Sequence, residues 1–406
     1  MSQTVQCHVI RVTPRGRAAV ATLFLVGRDA SAILQACLAG TRDSLESDAP
    51  VFAHFQLADA REEVVLDLRR PDRIALHCHG GDAVVNALEA ALVERGALVR
   101  IWQDWLLETR EPEFFPCHRP LDLIQREAMQ LLPFAETELT ARLLLAQYHG
   151  ALSRSIRQVV SLLENASNGT PSDSAVQEAR DNLDFLLQSY NTGKHLTTPF
   201  RVGLIGPVNV GKSSLMNALL GFNRSITSQI AGTTRDAVSA KTVIWGWPIM
   251  LIDTAGVRET SNPIEQEGIS RMQTVMADSD LLLLVTDATT QQINPLPEIL
   301  GFPRNGTMIP VLNKIDLVDQ QTLSRFRHQS DCVPVSAMTG SGLDQLNDEM
   351  IRQLHKTGNF IQDAANPSQR VLVFTERQYS LLSSFRQKLE QGDIVAIIAL
   401  KAALLE

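Results

Sequence analysis

The chain has 406 residues, enough for two or three domains that each bury their own core, since one domain usually holds roughly 100–200 residues. With 44% hydrophobic residues, 20% charged residues and a net charge of -8, it has the composition of a soluble globular protein and gives no global electrostatic reason to bind nucleic acid. The five cysteines, Cys7, Cys37, Cys78, Cys117 and Cys332, are scattered and never spaced Cys-x-x-Cys, which argues against a disulfide framework and a zinc site and fits a reducing cytoplasm.

Residues 1–118 mix short β-branched runs, Gln6 to Val12, Ala18 to Leu25, Glu63 to Leu68 and Arg73 to His77, with one helical stretch from Ala83 to Glu94. A small α+β domain is expected. The run Ala18 to Val26 follows basic residues, yet its alternation fits a buried strand rather than a signal-peptide core. From Leu121 to Leu187 the apolar residues recur at helical spacing, as at Leu143, Leu144, Tyr148 and Leu152, interrupted at Asn165 to Pro171. Two or three helices are expected there, the first part of a helical domain over 119–199. After Thr197-Thr198-Pro199, strands alternate with helices through residue 356, the signature of a parallel sheet. A polar linker, Asp363 to Ser368, then leads into two more helical stretches over 357–406, expected to pack back on the earlier helices. The predicted architecture is an α/β domain with a parallel sheet, inserted in an α-helical domain and preceded by the α+β domain. The apolar run Leu281 to Val285 is far short of the roughly 20 residues that cross a bilayer, so no transmembrane helix is expected.

Gly206-Pro207-Val208-Asn209-Val210-Gly211-Lys212-Ser213 fits G-x-x-x-x-G-K-[ST], follows the apolar run Val202 to Ile205 and precedes a helix-like stretch beginning at Ser214. Backbone N–H groups of such a loop close around phosphate oxygens at a helix N-terminus. Lys212 is expected at the β- and γ-phosphates, and Ser213 is a candidate Mg²⁺ ligand. Asp253-Thr254-Ala255-Gly256 places a carboxylate at a strand end where it can hold Mg²⁺ through water, with the Gly256 amide facing the γ-phosphate. Between these motifs, Gly232-Thr233-Thr234-Arg235-Asp236 supplies hydroxyls, Thr234 being the candidate for Mg²⁺, in a loop expected to close over the phosphate. Asn313-Lys314-Ile315-Asp316 ends another strand, and the Asp316 carboxylate can accept from N1–H and the exocyclic amine of guanine. Adenine offers no such pair, and a desolvated carboxylate left unpaired is costly, so the site selects guanine. Ser336-Ala337 completes the base pocket with a backbone N–H for the guanine O6.

The position after Asp-x-x-Gly, where Ras-like proteins carry a water-positioning glutamine, is Val257, which cannot hydrogen-bond water. Glu259, Glu265 and Glu267 follow in the next segment, and the residues alone leave open which of them, if any, takes that role.

These motifs resemble those of the tRNA-modification GTPase family MnmE, also called TrmE. The likeness is carried by Asn209 within GPVNVGKSS, IAGTTRD (Ile230 to Asp236) and DTAGVRETSNPIEQEGI (Asp253 to Ile269). More weakly, TPRGRAAV (Thr13 to Val20) and HGG (His79 to Gly81) are similar to the family's folate-binding domain, and LDLIQREA (Leu121 to Ala128) to the start of its helical domain. The resemblance implies a GTPase stimulated by potassium, with K⁺ held by Asn209, the carbonyls of Ser228 and Ile230 and the Thr233 hydroxyl, and with Glu265 positioning the attacking water. It also implies a homodimer, a folate-derived one-carbon donor, and a flavoprotein partner acting with it on the wobble uridine of tRNA. Two features depart from the family. Its GEFTKRAFLNGK-like segment is reduced here to Glu113 to Pro120, and its carboxyl-terminal Cys-x-Gly-Lys is absent, so a shortened member is expected. The alternative function is a regulatory GTP switch that has lost the tRNA-modification role.

Overall fold

The computed structural model describes residues 7–40 apart from 14 and 17, and residues 47–108, 121–164, 171–223, 238–253, 275–290, 308–329, 332–355 and 370–405. The chain divides into two compact units, Met1–Leu121 and Asp122–Glu406.

The first unit is built on a six-stranded sheet formed by β1 (His8–Arg11), β2 (Val20–Val26), β3 (Val51–Gln56), β4 (Arg61–Arg70), β5 (Arg73–His79) and β6 (Leu98–Arg100), in the order β3-β4-β5-β2-β1-β6. Neighbours are antiparallel except β1 and β6. Strand β2 alternates inward Ala21, Leu23 and Leu25 with outward residues, the period of a sheet buried on one face. That face is covered by α1 (Ala30–Gln35) and α2 (Asp82–Glu94), whose Val85, Leu88 and Leu92 share a core with Phe55, Leu66 and Leu76. A further helix, α3 (Trp102–Glu108), brings Trp105 edge-on to Phe24. Three of these elements, α1, β6 and α3, are too short to show a periodicity in the sequence, and in β3 the exposed Phe52 obscures the alternation of inward Ala53 and Phe55.

In the second unit the segment expected to hold two or three helices holds four: α4 (Leu123–Leu131), α5 (Glu138–Tyr148), α6 (Ala151–Glu164) and α7 (Asp173–Gly193). Local chemistry divides the apolar pattern. Asp122 caps α4 in a reciprocal pair with Gln125, Thr137 caps α5 in the same way with Thr140, and the His149-Gly150 turn separates α5 from α6.

The second sheet comprises β7 (Phe200–Ile205), β8 (Val238–Ile244), β9 (Trp247–Asp253), β10 (Leu281–Asp287), β11 (Met308–Asn313) and β12 (Val333–Pro334), in the order β12-β11-β10-β7-β9-β8. All neighbours are parallel except the β8–β9 hairpin, so the expected parallel sheet carries an antiparallel edge strand. The run Leu281 to Val285 is buried because β10 lies inside the sheet with both faces covered, and each such side chain contributes roughly 1.5–3 kcal/mol. Helices α8 (Lys212–Phe222), α9 (Gln320–Gln329) and α10 (Leu343–Leu354) belong to this part. The chain reverses direction across the sheet at β7, running first to β9 on one side and then to β10 on the other. A crevice therefore opens at the carboxyl ends of these strands.

Beyond the sheet, α11 (Glu376–Glu390) packs on α7, and α12 (Ile394–Leu405) packs on α6 and α4. Arg377 clasps Glu127 of α4 with Nε at 2.6 Å and Nη2 at 2.9 Å, and Gln378 Nε2 donates to the same carboxylate at 2.6 Å. Gln147 of α5, fully buried, donates to the Arg370 carbonyl at 2.7 Å, and Ser189 Oγ accepts from the Val373 amide at 3.0 Å. Residues more than 180 positions apart are thus joined through paired buried polar groups. Among the described residues no helix is long and apolar enough to cross a membrane.

Candidate functional site

The phosphate loop follows β7 and turns into α8. Gly206 sits at φ +143°, and a Cβ there would lie 2.2 Å from the Val285 carbonyl oxygen, so only glycine lets the loop pass this close to β10. Gly211, at φ +93°, caps α8 where a Cβ would meet Asn313 Nδ2 at 2.5 Å. Asn209 holds the left-handed region at φ +61° without glycine's freedom, and its side chain is exposed. Lys212 is buried, its Nζ donating to the carbonyls of Gly206 at 2.9 Å and Pro207 at 2.7 Å inside the loop. Burial pushes the Lys212 pKa down, opposed by the charge of Asp253.

Ser213 Oγ donates to Asp253 Oδ2 at 2.5 Å, bringing together two of the residues expected around Mg²⁺ from motifs 40 residues apart. Asp253 closes β9 at 2% exposure. A hydroxyl and a carboxylate converging beside a lysine form a hard-oxygen donor set that suits Mg²⁺, an ion that when bound neutralises charge on phosphate oxygens.

The segment Asn313 to Asp316, expected to read guanine, is tied to the phosphate loop. Asn313, 1% exposed, donates through Nδ2 to the Val210 carbonyl at 2.9 Å and accepts from the Ala337 amide through Oδ1 at 3.1 Å. The Ser336 amide donates to the Ser341 carbonyl at 2.9 Å. The amides of Ser336 and Ala337, one of which the sequence reading offers to the guanine O6, thus both have partners inside the protein, and Asn313 acts as a clasp between loops. Asp316 is exposed, with Oδ1 held by Ser336 Oγ at 2.6 Å, which fixes its carboxylate plane; its desolvation begins only when a base covers it. Lys314, at φ +65°, donates to the Asn209 carbonyl at 2.8 Å and to Asp287 Oδ2 at 2.6 Å.

Asp287, which belongs to no motif, lies against this segment through Lys314. Burial raises its pKa, but the hydrogen bond from Lys314 and those from the Thr289 amide and hydroxyl outweigh this and hold it below the usual carboxylate range. The signal in the sequence is its place, the last residue of an apolar strand whose neighbours end at Ile205, just before Gly206, and at Asn313. Ser214, on the first turn of α8, completes the described set. Thr233, Thr234, Gly256, Ser228, Ile230 and Glu265, with Val257, Glu259 and Glu267, lie outside the described residues.

In the first unit, the two segments similar to a folate-binding domain lie against each other: the Ala18 amide donates to the Gly80 carbonyl and the Gly80 amide to the Ala19 carbonyl, both at 3.2 Å. Asp82 Oδ1 accepts from the Gly16 amide at 3.1 Å and from Arg11 Nη1 at 2.7 Å.

The pattern of the family described as "50S ribosome-binding GTPase" matches residues 201–314, from β7 through Lys314. Over 423 aligned residues, the tRNA modification GTPase MnmE of Aquifex aeolicus is 30% identical, an alignment covering 96% of this chain and 90% of that protein. The chain belongs to the MnmE family. The MnmE of Thermus thermophilus is likewise 30% identical, over 94% of this chain and 88% of its own length. MnmE membership and the phosphate-loop geometry together make this protein a GTP-binding GTPase, with Lys212, Ser213, Asp253, Asn313 and Asp316 at the carboxyl ends of β7, β9 and β11.

Proposed function

We propose that this protein is a potassium-stimulated GTPase acting in the modification of the tRNA wobble uridine. The observation that carries the reading is likeness to MnmE proteins along nearly the whole chain, first unit and helices included, rather than over the nucleotide-binding part alone. Residues 119–199 and 357–406 form one helical domain into which the GTPase domain, 200–356, is inserted, and residues 1–118 form the amino-terminal domain. The contacts of Glu127 with Arg377 and of Gln147 with Arg370 support this division.

The potassium reading is supported by Asn209, whose exposed side chain leaves a strained left-handed backbone at the mouth of the phosphate loop. A cation held there, by Asn209, the Ser228 and Ile230 carbonyls and the Thr233 hydroxyl, supplies positive charge opposite phosphate oxygens, the part an arginine finger plays elsewhere. Glu265 then positions the attacking water in place of Val257. A folate-derived one-carbon donor at the first unit is supported by the adjacency of Thr13 to Val20 and His79 to Gly81. The Arg11–Asp82 pair and the exposed His79, whose Nδ1 meets Glu62 at 2.6 Å, are polar groups on or next to these segments. The protein works as a homodimer in the cytoplasm with a flavoprotein partner.

The test has two arms. GTP turnover is compared in K⁺ and Na⁺ at equal ionic strength for the wild type and Asn209→Ala; stimulation in the wild type alone is expected, and equal rates in both salts defeat the potassium reading. The chain is also expressed in a bacterium lacking its own MnmE, and the wobble uridine is followed by mass spectrometry of total tRNA. Restored modification is expected. Intact hydrolysis without restoration assigns instead a regulatory GTP switch.

A further inference from the structure

We infer that Asp287 is a positioning residue for nucleotide binding: it holds the Lys314 ammonium on the Asn209 carbonyl and so locks the guanine-binding segment to the phosphate loop. Asp287 ends β10 in register with Asn313 of β11, which places its side chain beside the residue after Asn313. One carboxylate oxygen is committed to Thr289, accepting from the amide at 2.9 Å and the hydroxyl at 2.8 Å, so the side chain has a fixed orientation. The other accepts from Lys314 Nζ at 2.6 Å, a charge-assisted bond with the carboxylate side chain only 10% exposed.

Lys314 gains from that anchor a direction it would not hold by itself. A lysine side chain has four rotatable bonds and a strongly hydrated head, and this one is about a third exposed. Pinned by Asp287, its Nζ reaches the Asn209 carbonyl at 2.8 Å, while its stem passes beneath the phosphate loop, with Cε 3.9 Å from where a Cβ on Gly211 would stand. Of the three non-glycine residues with positive φ among the described residues, Asn209 and Lys314 stand at the two ends of this one hydrogen bond. Two backbones in a disfavoured conformation thus hold each other, and Asp287 fixes the side chain that joins them. Asn313 makes a second, neutral tie to Val210, so the phosphate loop is fastened to the guanine-binding segment at consecutive residues, one fastening depending on Asp287 and one not.

The test is a double-mutant cycle in the full chain, read by the Kd and dissociation rate of a fluorescent GDP. Asp287→Ala and Lys314→Ala should each weaken binding about tenfold and speed release by a similar factor, as for loss of a hydrogen bond to a charged group. The double variant should be no weaker than Lys314→Ala, because Asp287 acts through Lys314. Asp287→Asn keeps one oxygen acceptor, enough for either Thr289 or Lys314 but not both, and removes the charge, so it should fall between wild type and Asp287→Ala; if Asp287→Ala does not fold, the cycle is run with Asp287→Asn. A double variant weakened by the product of the two single effects overturns the inference. So does a folded Asp287 variant with wild-type affinity and a lowered melting temperature, which would mark Asp287 as structural only.

Discussion

His355 makes the second unit sensitive to mild acid. It caps the carboxyl end of α10 and is buried where the GTP-binding sheet meets α7: its Nδ1 lies 3.1 Å from Thr192 Oγ1, and its ring centroid lies 4.6 Å from that of Trp247 and 5.4 Å from that of Phe200. Burial first, and then the charges of His195 and Arg370, push its pKa down from 6.5 to about 3. A cation at a helix carboxyl terminus is normally favoured by up to about 2 kcal/mol, so desolvation wins here. Because the folded pKa is depressed, the unfolded chain binds the proton more tightly. Stability is complete above the unfolded value of 6.5 and is lost as pH falls toward 3. Between pH 8 and pH 5 this one group removes about 2 kcal/mol, at ~1.4 kcal/mol per unit. For a unit of this size that lowers the melting temperature by roughly 4–8 °C. The assay is scanning calorimetry across that range on wild type and His355→Asn, following the transition that GDP shifts upward. The variant is less stable at pH 8, having lost its ring contacts, but its melting temperature should fall less between pH 8 and pH 5 by the amount given. Parallel pH profiles for the two proteins would refute the reasoning.

Asp316→Asn should weaken GTP and favour xanthine nucleotides, whose O2 carbonyl accepts from the new amide; competition binding reads both, and unchanged GTP affinity counts against Asp316 as the base reader. Glu265→Ala should leave nucleotide affinity nearly intact and lower turnover by one to several orders of magnitude, the pattern of an interaction made mainly in the transition state. Single-turnover hydrolysis measures it, and wild-type turnover would move the role to Glu259, Glu267 or another group.

The chemistry of the nucleotide site was legible in the sequence because each motif is local. Gly206 to Ser213, Asp253 and Asn313 to Asp316 each follow an apolar strand directly, and a parallel sheet places all its carboxyl ends along one edge. The strands themselves were legible by the same token, Leu281 to Val285 by its unbroken apolar run and β2 by its alternation. What the sequence could not show depends on which distant residues the fold brings together. Asp287 carries no motif, and its hold on Lys314 exists only because β10 and β11 pair in register. The amides of Ser336 and Ala337 look available in sequence and are engaged in space, by Ser341 and Asn313. Four helices stand where the apolar period suggested two or three, because capping by Asp122 and Thr137 is a matter of single side chains that periodicity does not register. His355, one of nine histidines in the sequence, is set apart by nothing local. Its depressed pKa comes from Trp247, Phe200 and Thr192 closing around it, and desolvation is a property of packing rather than of composition.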